Sequence, residues 1–146
     1  MTSTAALVQR STDARPSAFN SLSEGMLAAL QSELEAIARD ESARVVVLGA
    51  AGKAFCAGHD LKEMRAEPSL DYYQRLFAQC GRMMLSIQRL PVPVIAQVHG
   101  WCVGGGSDYT LACDLVIASE DARIGTPYAR MWGAYLSGMW IYRLGL

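Results

Sequence analysis

Two short apolar runs, separated by a long stretch with helical periodicity, constrain the possible folds of this chain most strongly. Val45–Leu48 is a continuous apolar run that begins with three β-branched valines, which is typical of a strand buried on both faces. Val94–Val98 predicts a second strand. Between them, a helix is predicted from about Ser69 until Pro91 breaks it. Strands that alternate with amphipathic helices predict the α/β fold class.

The same alternation continues in both directions along the chain. Ser21 and Glu24 have capping-box spacing, so a helix is predicted to follow them and to run to about Arg39. The helix after Ser69 is predicted to pack in the core with Leu70, Tyr73, Leu76, Phe77, Cys80, Met83, Met84 and Ile87. The other predicted elements are strands at 4–10, 54–56, 115–118 and 122–125, a glycine-rich loop at 100–106, and helices at 107–113 and 135–146.

The composition restricts the possible classes of function. A length of 146 residues predicts one domain, 1–146, and a hydrophobic fraction of 51% is sufficient for a core. Lys and Arg total 13 against 14 Asp and Glu, so no nucleic-acid partner is expected. The chain has no basic amphipathic stretch, and no apolar run approaches the ~18 residues of a spanning helix, so no membrane association is expected.

The cysteines and histidines give no signal for a metal site. The four cysteines form no C-x-x-C pair, and only His59 and His99 could join them as ligands. Buried, reduced thiols are therefore predicted. The first residues lack a basic segment followed by a long apolar stretch, so no signal peptide is expected. Together these features predict a cytoplasmic protein without a metal.

A weak internal repeat links two segments of the chain. Residues 55–59 and 101–105 share the order aromatic, Cys, small residue, Gly, loop residue, and each follows a predicted strand. Gly58 permits a tight turn, and Asp60 can cap the next helix, which leaves the backbone N–H of His59 pointing outward. Two similar turns are expected to deliver similar backbone groups to one place.

The second copy of the repeat contains the segment Gly104-Gly105-Gly106-Ser107-Asp108 at the start of a helix. The first N–H groups of a helix have no partners within the helix, and glycines allow a ligand to approach them closely. Such a site can bind an oxyanion or a phosphate. The segment lacks the Gly-Lys-Ser/Thr of a P-loop and the G-x-G-x-x-G dinucleotide pattern.

These segments resemble, in order, the motifs of one known family. Residues 54–61 (AFCAGHDL) resemble its A/F-x-A-G-x-D-L segment, and residues 93–100 (PVIAQVHG) its P-V-I-A-x-V-x-G strand. The match continues through residues 104–108 (GGGSD), 113–115 (CDL) and 122–127 (ARIGTP), and residues 20–23 (NSLS) precede the first helix in the same way. The chain resembles the enoyl-CoA hydratase/isomerase, or crotonase, family over nearly all of its length.

The resemblance implies a spiral of ββα units that binds acyl-CoA thioesters. The thioester is a substrate, and no cofactor or metal is implied. The backbone N–H groups of His59 and Gly105 would form an oxyanion hole that stabilises an enolate. Further substrate-binding positions would be Ala57, Gly58, Asp60, Leu61, Gly104 and Trp101. The family continues beyond residue 146 with helices that close the pocket and form trimer contacts, so a missing C-terminal part and a trimer-based homo-oligomer are expected.

Two positions depart from the family's hydratases, which use a pair of glutamates as acid and base. The first falls on Asp108, whose shorter side chain pulls the carboxylate back by ~1.5 Å, a displacement that can cost about a hundredfold in rate. The second falls on Tyr128, a poor base because an unperturbed phenol has a pKa near ~10. Asp108 is the candidate acid/base residue or, alternatively, an Asp that satisfies backbone N–H groups. Tyr128 is a weak acid or a pocket wall.

These departures leave three functions open: hydration, another crotonase reaction such as isomerisation or thioester hydrolysis, and a non-catalytic acyl-CoA-binding module or inactive truncated remnant. His99 is expected to be a hydrogen-bonded structural residue, and Asp114 to cap or pair locally. Trp101, Trp132 and Trp140 line an acyl pocket or pack in the core.

Overall fold

The protein folds around two parallel sheets in the computed structural model, which describes residues 7–9 and 15–127. The first sheet has the order β1-β2-β4-β6, and the second has the order β3-β5-β7. The strands are β1 (Leu7–Gln9), β2 (Val45–Leu48), β3 (Ala54–Cys56), β4 (Val94–Val98), β5 (Trp101–Val103), β6 (Leu115–Ala118) and β7 (Arg123–Gly125). The helices are α1 (Glu24–Ala38), α2 (Leu61–Ala66), α3 (Leu70–Gln88) and α4 (Gly105–Leu111), and a short 3-10 turn spans Pro16–Ala18. The predicted α/β class is confirmed.

The two long helices pack against each other and against one face of the first sheet. The inward positions of both helices join alternate residues of β2 and β4 in one core cluster. In β2, Val46 and Leu48 are buried, whereas Val45 and Val47 are half-buried. The prediction that β2 is buried on both faces was therefore wrong, because the described helices cover only one side. Leu70 is 72% exposed, so its predicted place in the core was also wrong.

The start of α1 differs from the capping-box prediction. Ser23, not Ser21, is the N-cap residue, and its hydroxyl accepts a hydrogen bond from the N–H of Met26 at 3.1 Å. The Ser21 hydroxyl instead donates to Asp60 at 3.3 Å. Ser69 caps α3, where a helix start was predicted, by accepting from the N–H of Tyr72. Local spacing predicted the helix, and a contact distant in sequence decided which serine caps it.

The second sheet contains a strand that was predicted to be loop. β5 lies within residues 100–106 and pairs in parallel with β3 and with β7. Gly100, with φ of 54°, makes the turn from β4 into β5, and a Cβ there would overlap the carbonyl of Lys53. Cys102 at the centre of β5 is fully buried. The strand exists because neighbours that are distant in sequence supply its ladder hydrogen bonds.

The outer strand β6 exposes apolar side chains. Leu115 is 57% exposed and Ile117 is 60% exposed, and Ile124 of β7 is 41% exposed. This apolar surface was not expected from the sequence. The helix predicted at 135–146 lies outside the described residues. Over the described part of the chain, no helix combines the length and apolarity needed to cross a membrane.

Candidate functional site

The two copies of the sequence repeat lie side by side. β3 and β5 are parallel neighbours in which Cys56 pairs with Cys102, so the loops that follow them leave the sheet at the same edge. Gly58 has φ of 84°, and a Cβ there would lie 3.0 Å from the carbonyl oxygen of Val103 and 3.2 Å from the nitrogen of Gly105. Only glycine allows this approach, which brings the His59 turn against the start of α4.

Leu22 fixes the direction of the His59 N–H. The N–H of Leu22 donates to the carbonyl of Gly58 at 2.8 Å, and its carbonyl accepts from the N–H of Asp60 at 3.2 Å. Because backbone groups alternate in direction along an extended segment, the N–H of His59 faces away from Leu22. It donates to no acceptor among the described residues. The predicted outward direction of this N–H therefore has a structural basis.

The start of α4 supplies the second N–H. Gly105 is the first residue of the helix, and within the described chain its N–H has no acceptor. A Cβ on Gly106 would overlap the carbonyl oxygen of Cys56 and lie 2.8 Å from the Cβ of that residue, so α4 packs directly onto β3. The Ser107 hydroxyl lies 2.8 Å from the carbonyl oxygen of Gly104, which fixes the turn before the helix.

Asp108 lies one turn after Gly105, on the same side of α4, and is 7% exposed. Its carboxylate is close to two buried thiols. Burial, and then the charge of Asp108, raise the pKa of the Cys80 thiol to about 11. Burial also raises the pKa of the Cys102 thiol. The hydrogen bond between Cys102 and Thr110 lowers this pKa, and the charge of Asp108 raises it. Asp108 is thus a largely buried carboxylate one turn after Gly105, and its acid/base role stays a prediction.

The His59 imidazole lies near Gly105. Its Cδ2 and Nε2 atoms lie 3.5 and 3.6 Å from the place that a Gly105 Cβ would occupy. Its ring meets that of Phe77 edge-on, with centroids 5.3 Å apart. Burial lowers the pKa of His59. This effect is larger than that of the Leu22 backbone, which raises the pKa. The imidazole is therefore neutral at neutral pH.

This burial predicts how stability depends on pH. Because the pKa of His59 is lower in the folded state than the ordinary value of about 6.5, the unfolded chain binds this proton more readily. The stability that the folded state gains by keeping His59 uncharged is complete above about pH 6.5 and is lost as the pH falls below it. We expect urea midpoints to decrease from pH 7.5 to pH 5.5, and His59→Phe to reduce that decrease. An identical pH dependence in both proteins would contradict the assignment.

Asp60, a predicted substrate-binding residue, has a structural role at the start of α2. Its carboxylate accepts from the N–H groups of Lys62 at 3.0 Å and Glu63 at 3.3 Å, as predicted for a cap. It also lies 3.8 Å from Arg15 and accepts from Ser21. Burial raises the pKa of the Asp60 carboxyl, but these donors outweigh it and hold the pKa below its ordinary value. Substrate contact by Asp60 stays a prediction.

The other predicted site residues are placed as follows. Ala57 and Gly104 lie in the two loops, and Leu61 is 46% exposed at the start of α2. Trp101 is 51% exposed, with the Arg123 guanidinium 5.7 Å from the ring centroid, so it does not pack in the core. Tyr128, Trp132 and Trp140 lie outside the described residues.

Three further sequence expectations concern residues around the site. The His99 ring lies in hydrogen-bond contact with the Gly52 carbonyl at 2.9 Å, as predicted for a structural residue. Asp114 accepts from the N–H of Val94, 20 residues away, so the predicted local pairing was wrong: this carboxylate joins β6 to the start of β4. The four cysteines are buried and unbridged, as predicted. Among the described residues, no group of three or more His, Cys, Asp or Glu could hold a metal ion.

Sequence reasoning missed Leu22 and Phe77. Leu22 orients the His59 N–H, and Phe77 supports its ring. Leu22 is an apolar residue between two serines, a weak signal of burial before a helix. Phe77 belonged to the predicted apolar stripe of α3, and nothing in the stripe distinguished it from core residues.

The family model described as Enoyl-CoA hydratase/isomerase matches residues 6–145. The chain belongs to the enoyl-CoA hydratase/isomerase family. An enoyl-CoA hydratase structure from Bacillus anthracis is 34% identical and covers 90% of this chain, with a TM-score of 0.85. This likeness confirms the predicted crotonase-like fold.

Other members of the family are also similar over only part of their length. An enoyl-CoA hydratase from Mycobacterium smegmatis is 62% identical, with 75% of this chain and 43% of that chain covered and a TM-score of 0.74. Enoyl-CoA hydratase domain-containing protein 3, mitochondrial, from Xenopus laevis is 39% identical, with 77% of this chain and 38% of the relative covered. The chain thus spans about half or less of these relatives, including 52% of the Bacillus structure.

Proposed function

We propose that this member of the enoyl-CoA hydratase/isomerase family binds an acyl-CoA thioester and stabilises its enolate. The thioester carbonyl oxygen accepts hydrogen bonds from the backbone N–H groups of His59 and Gly105. One observation carries the proposal: two N–H groups that have no acceptor among residues 7–9 and 15–127 lie on adjoining turns, brought together by the close approach of Gly58 to Gly105. Donors fixed in advance stabilise the charge that develops on an oxygen, by about 3 kcal/mol for each donor.

Asp108 is the proposed proton carrier. It lies one turn after Gly105 in α4 and is largely buried, which supports a place for its carboxylate near the proposed carbonyl position. When the α C–H bond of the acyl group breaks, the proton passes to this carboxylate and the electron pair moves into the enolate. Tyr128 is proposed as a weak acid or as a pocket wall.

The reaction that follows the enolate has two candidates of different kinds. Hydration has the support of the names of the similar proteins, whereas isomerisation or thioester hydrolysis has the support of the Asp108 and Tyr128 departures. Product analysis with crotonyl-CoA, a 3-enoyl-CoA and a saturated acyl-CoA separates them. Binding of all three without turnover would favour a non-catalytic acyl-CoA-binding module.

The remaining properties are proposals of the same kind. The CoA thioester is a substrate, and no cofactor is assigned. A homo-oligomer built on trimers stays a proposal, which the exposed apolar side chains of β6 support. A cytoplasmic location also stays a prediction, and the Xenopus relative is named as a mitochondrial protein.

Thermal unfolding in the presence of butyryl-CoA tests the binding step. A ligand that binds only the folded state stabilises it by about 2.7 kcal/mol at a hundred times its dissociation constant. We expect the transition temperature to rise with butyryl-CoA concentration, and to rise less with free CoA, which lacks the thioester carbonyl. Equal shifts with both ligands would remove the carbonyl from the proposal, and no shift with either would favour the inactive remnant.

A further inference from the structure

We infer that Glu63 is a positioning residue for the oxyanion-hole N–H of His59, because its carboxylate joins helix α2 to the start of α1 beside the His59 turn. This inference rests on the proposed function, since it concerns one of the same two donors. Glu63 lies four residues after His59, beyond the motif segment that ends at Leu61.

Apolar packing contributes little to the position of the segment that follows His59. None of the six residues of α2, all of which the structure describes, is buried, and Leu61 is 46% exposed. Met64 contacts the core but is only half-buried. A segment with few buried apolar contacts opens at a low cost in free energy, so the position of α2 depends on its hydrogen bonds.

A closed ring of hydrogen bonds connects the His59 turn, α2 and the start of α1. Next to His59, the N–H of Asp60 donates to the Leu22 carbonyl at 3.2 Å. The Asp60 carboxylate accepts from the N–H of Glu63 at 3.3 Å. The Glu63 carboxylate accepts at 2.9 Å from the N–H of Glu24, two residues after Leu22. The side chain of Glu63 therefore closes a ring that contains the bond beside His59.

The bond between Glu63 and Glu24 is the charged member of this ring at the end of a long helix. Glu24 is the first residue of α1, so its N–H has no partner within the helix and lies at the positive end of the helix dipole. A hydrogen bond to a carboxylate is about twice as strong as one between neutral groups. Since α1 is anchored in the core along its length, Glu63 ties α2 to a fixed part of the protein.

Tyr73 holds α2 from the opposite side. Its hydroxyl donates to the carbonyl of Met64 at 3.0 Å. This carbonyl is one of the last four of α2, which have no partner within the helix. The short helix is thus tied to α1 by Glu63 and to α3 by Tyr73. Tyr73→Phe loosens α2 without changing the ring of hydrogen bonds, so we expect it to have a smaller effect than the loss of Glu63.

Three variants isolate the hydrogen bond that Glu63 accepts. Glu63→Ala removes the acceptor, whereas Glu63→Gln keeps an oxygen that can accept from the N–H of Glu24. Glu67→Ala is the matched control, because Glu67 carries the same charge, is exposed and directly follows α2. A difference between Glu63→Ala and Glu67→Ala therefore reports the hydrogen bond and not the loss of a negative charge.

Exchange of the α-protons of butyryl-CoA for deuterium in D2O is the activity readout, because it reports enolate formation whatever reaction follows. We expect the exchange rate at saturation to fall about tenfold in Glu63→Ala and about threefold in Tyr73→Phe, with half-saturation within about twofold of the wild type. Glu63→Gln is expected to recover most of the loss. A Glu63→Ala rate equal to that of Glu67→Ala, or a Glu63→Gln rate as low as that of Glu63→Ala, would overturn the inference.

Hydrogen exchange of the Asp60 amide in the ligand-free protein, followed by NMR, gives a second test that does not require turnover. We expect this amide to exchange about tenfold faster in Glu63→Ala and at the wild-type rate in Glu67→Ala, with the Leu34 amide in the middle of α1 unchanged. An unchanged Asp60 amide in Glu63→Ala would overturn the inference. If the wild-type chain exchanges no α-protons while the Asp60 amide responds as expected, the proposed function fails and the positioning of the His59 turn by Glu63 stands.

Discussion

Asp108→Asn is expected to slow the exchange of butyryl-CoA α-protons by about 10²- to 10⁴-fold, the usual contribution of a positioned acid or base. The amide has nearly the shape of the carboxylate but cannot accept the proton at neutral pH. Folding should be preserved, so the thermal transition of the variant should lie near that of the wild type. Deuterium incorporation at saturating butyryl-CoA, followed by mass spectrometry, gives the rate.

A second Asp→Asn variant separates loss of the base from loss of negative charge in general. Asp71 lies in the first turn of α3 and is exposed, so Asp71→Asn removes the same charge away from Asp108. Its exchange rate should stay within about twofold of the wild type, because exposed charges interact weakly through water. Wild-type exchange by Asp108→Asn would remove Asp108 from the mechanism and leave its alternative role, pairing with backbone N–H groups.

Gly106→Ala is expected to destabilise the protein by about 3 kcal/mol, the upper end for overpacking a tightly packed site. The added Cβ would overlap the Cys56 carbonyl oxygen and lie 2.8 Å from the Cβ of the same residue. Both contacts belong to β3, which is fully buried, so α4 must move away from the sheet. Urea unfolding of the variant and the wild type gives the difference in the free energy of unfolding.

Gly81→Ala is a control, because the same substitution is expected to raise the free energy of unfolding at this position. Apart from the adjacent residues and backbone of α3 itself, no described atom lies within 4 Å of a Cβ added there, in the middle of the helix. Alanine is favoured over glycine within helices, so Gly81→Ala should stabilise the protein by about 0.5–1 kcal/mol. If both variants were stabilised, the close packing of α4 on β3 would be wrong.

The helices and the buried strands could be predicted because their signals are local. The apolar residues of α1 and α3 recur at helical spacing, and β2 and β4 are short apolar runs. The N-cap of α1 could not be predicted in the same way. Ser21 and Ser23 could both cap the helix. Ser23 does so because Asp60, 39 residues beyond Ser21, accepts a hydrogen bond from the Ser21 hydroxyl.

Strand β5 and the exposure of each sheet face depend on contacts that are distant in sequence. Trp101–Val103 is a tripeptide between glycines, and only pairing with β3 and β7 makes it a strand. The burial of β2 on one face depends on where α1 and α3 pack, which an apolar run does not specify.

The candidate site could be predicted in part. The repeat gave two glycine turns after neighbouring strands, and the structure brings those turns together at Gly58 and Gly105. The position of the His59 ring could not be predicted, because it depends on Phe77 of a different element. The sequence also gave no reason to expect the two thiols beside Asp108.

The central claim is that the Gly105 N–H binds the thioester oxygen, and a comparison of Gly105→Pro with Gly105→Ala tests it most directly. Proline is tolerated at the first position of a helix but has no N–H, whereas alanine keeps the N–H and adds a Cβ 3.3 Å from the end of the Leu22 side chain. We expect Gly105→Pro to exchange butyryl-CoA α-protons about a hundredfold more slowly than Gly105→Ala. Equal exchange rates in the two variants would contradict the claim.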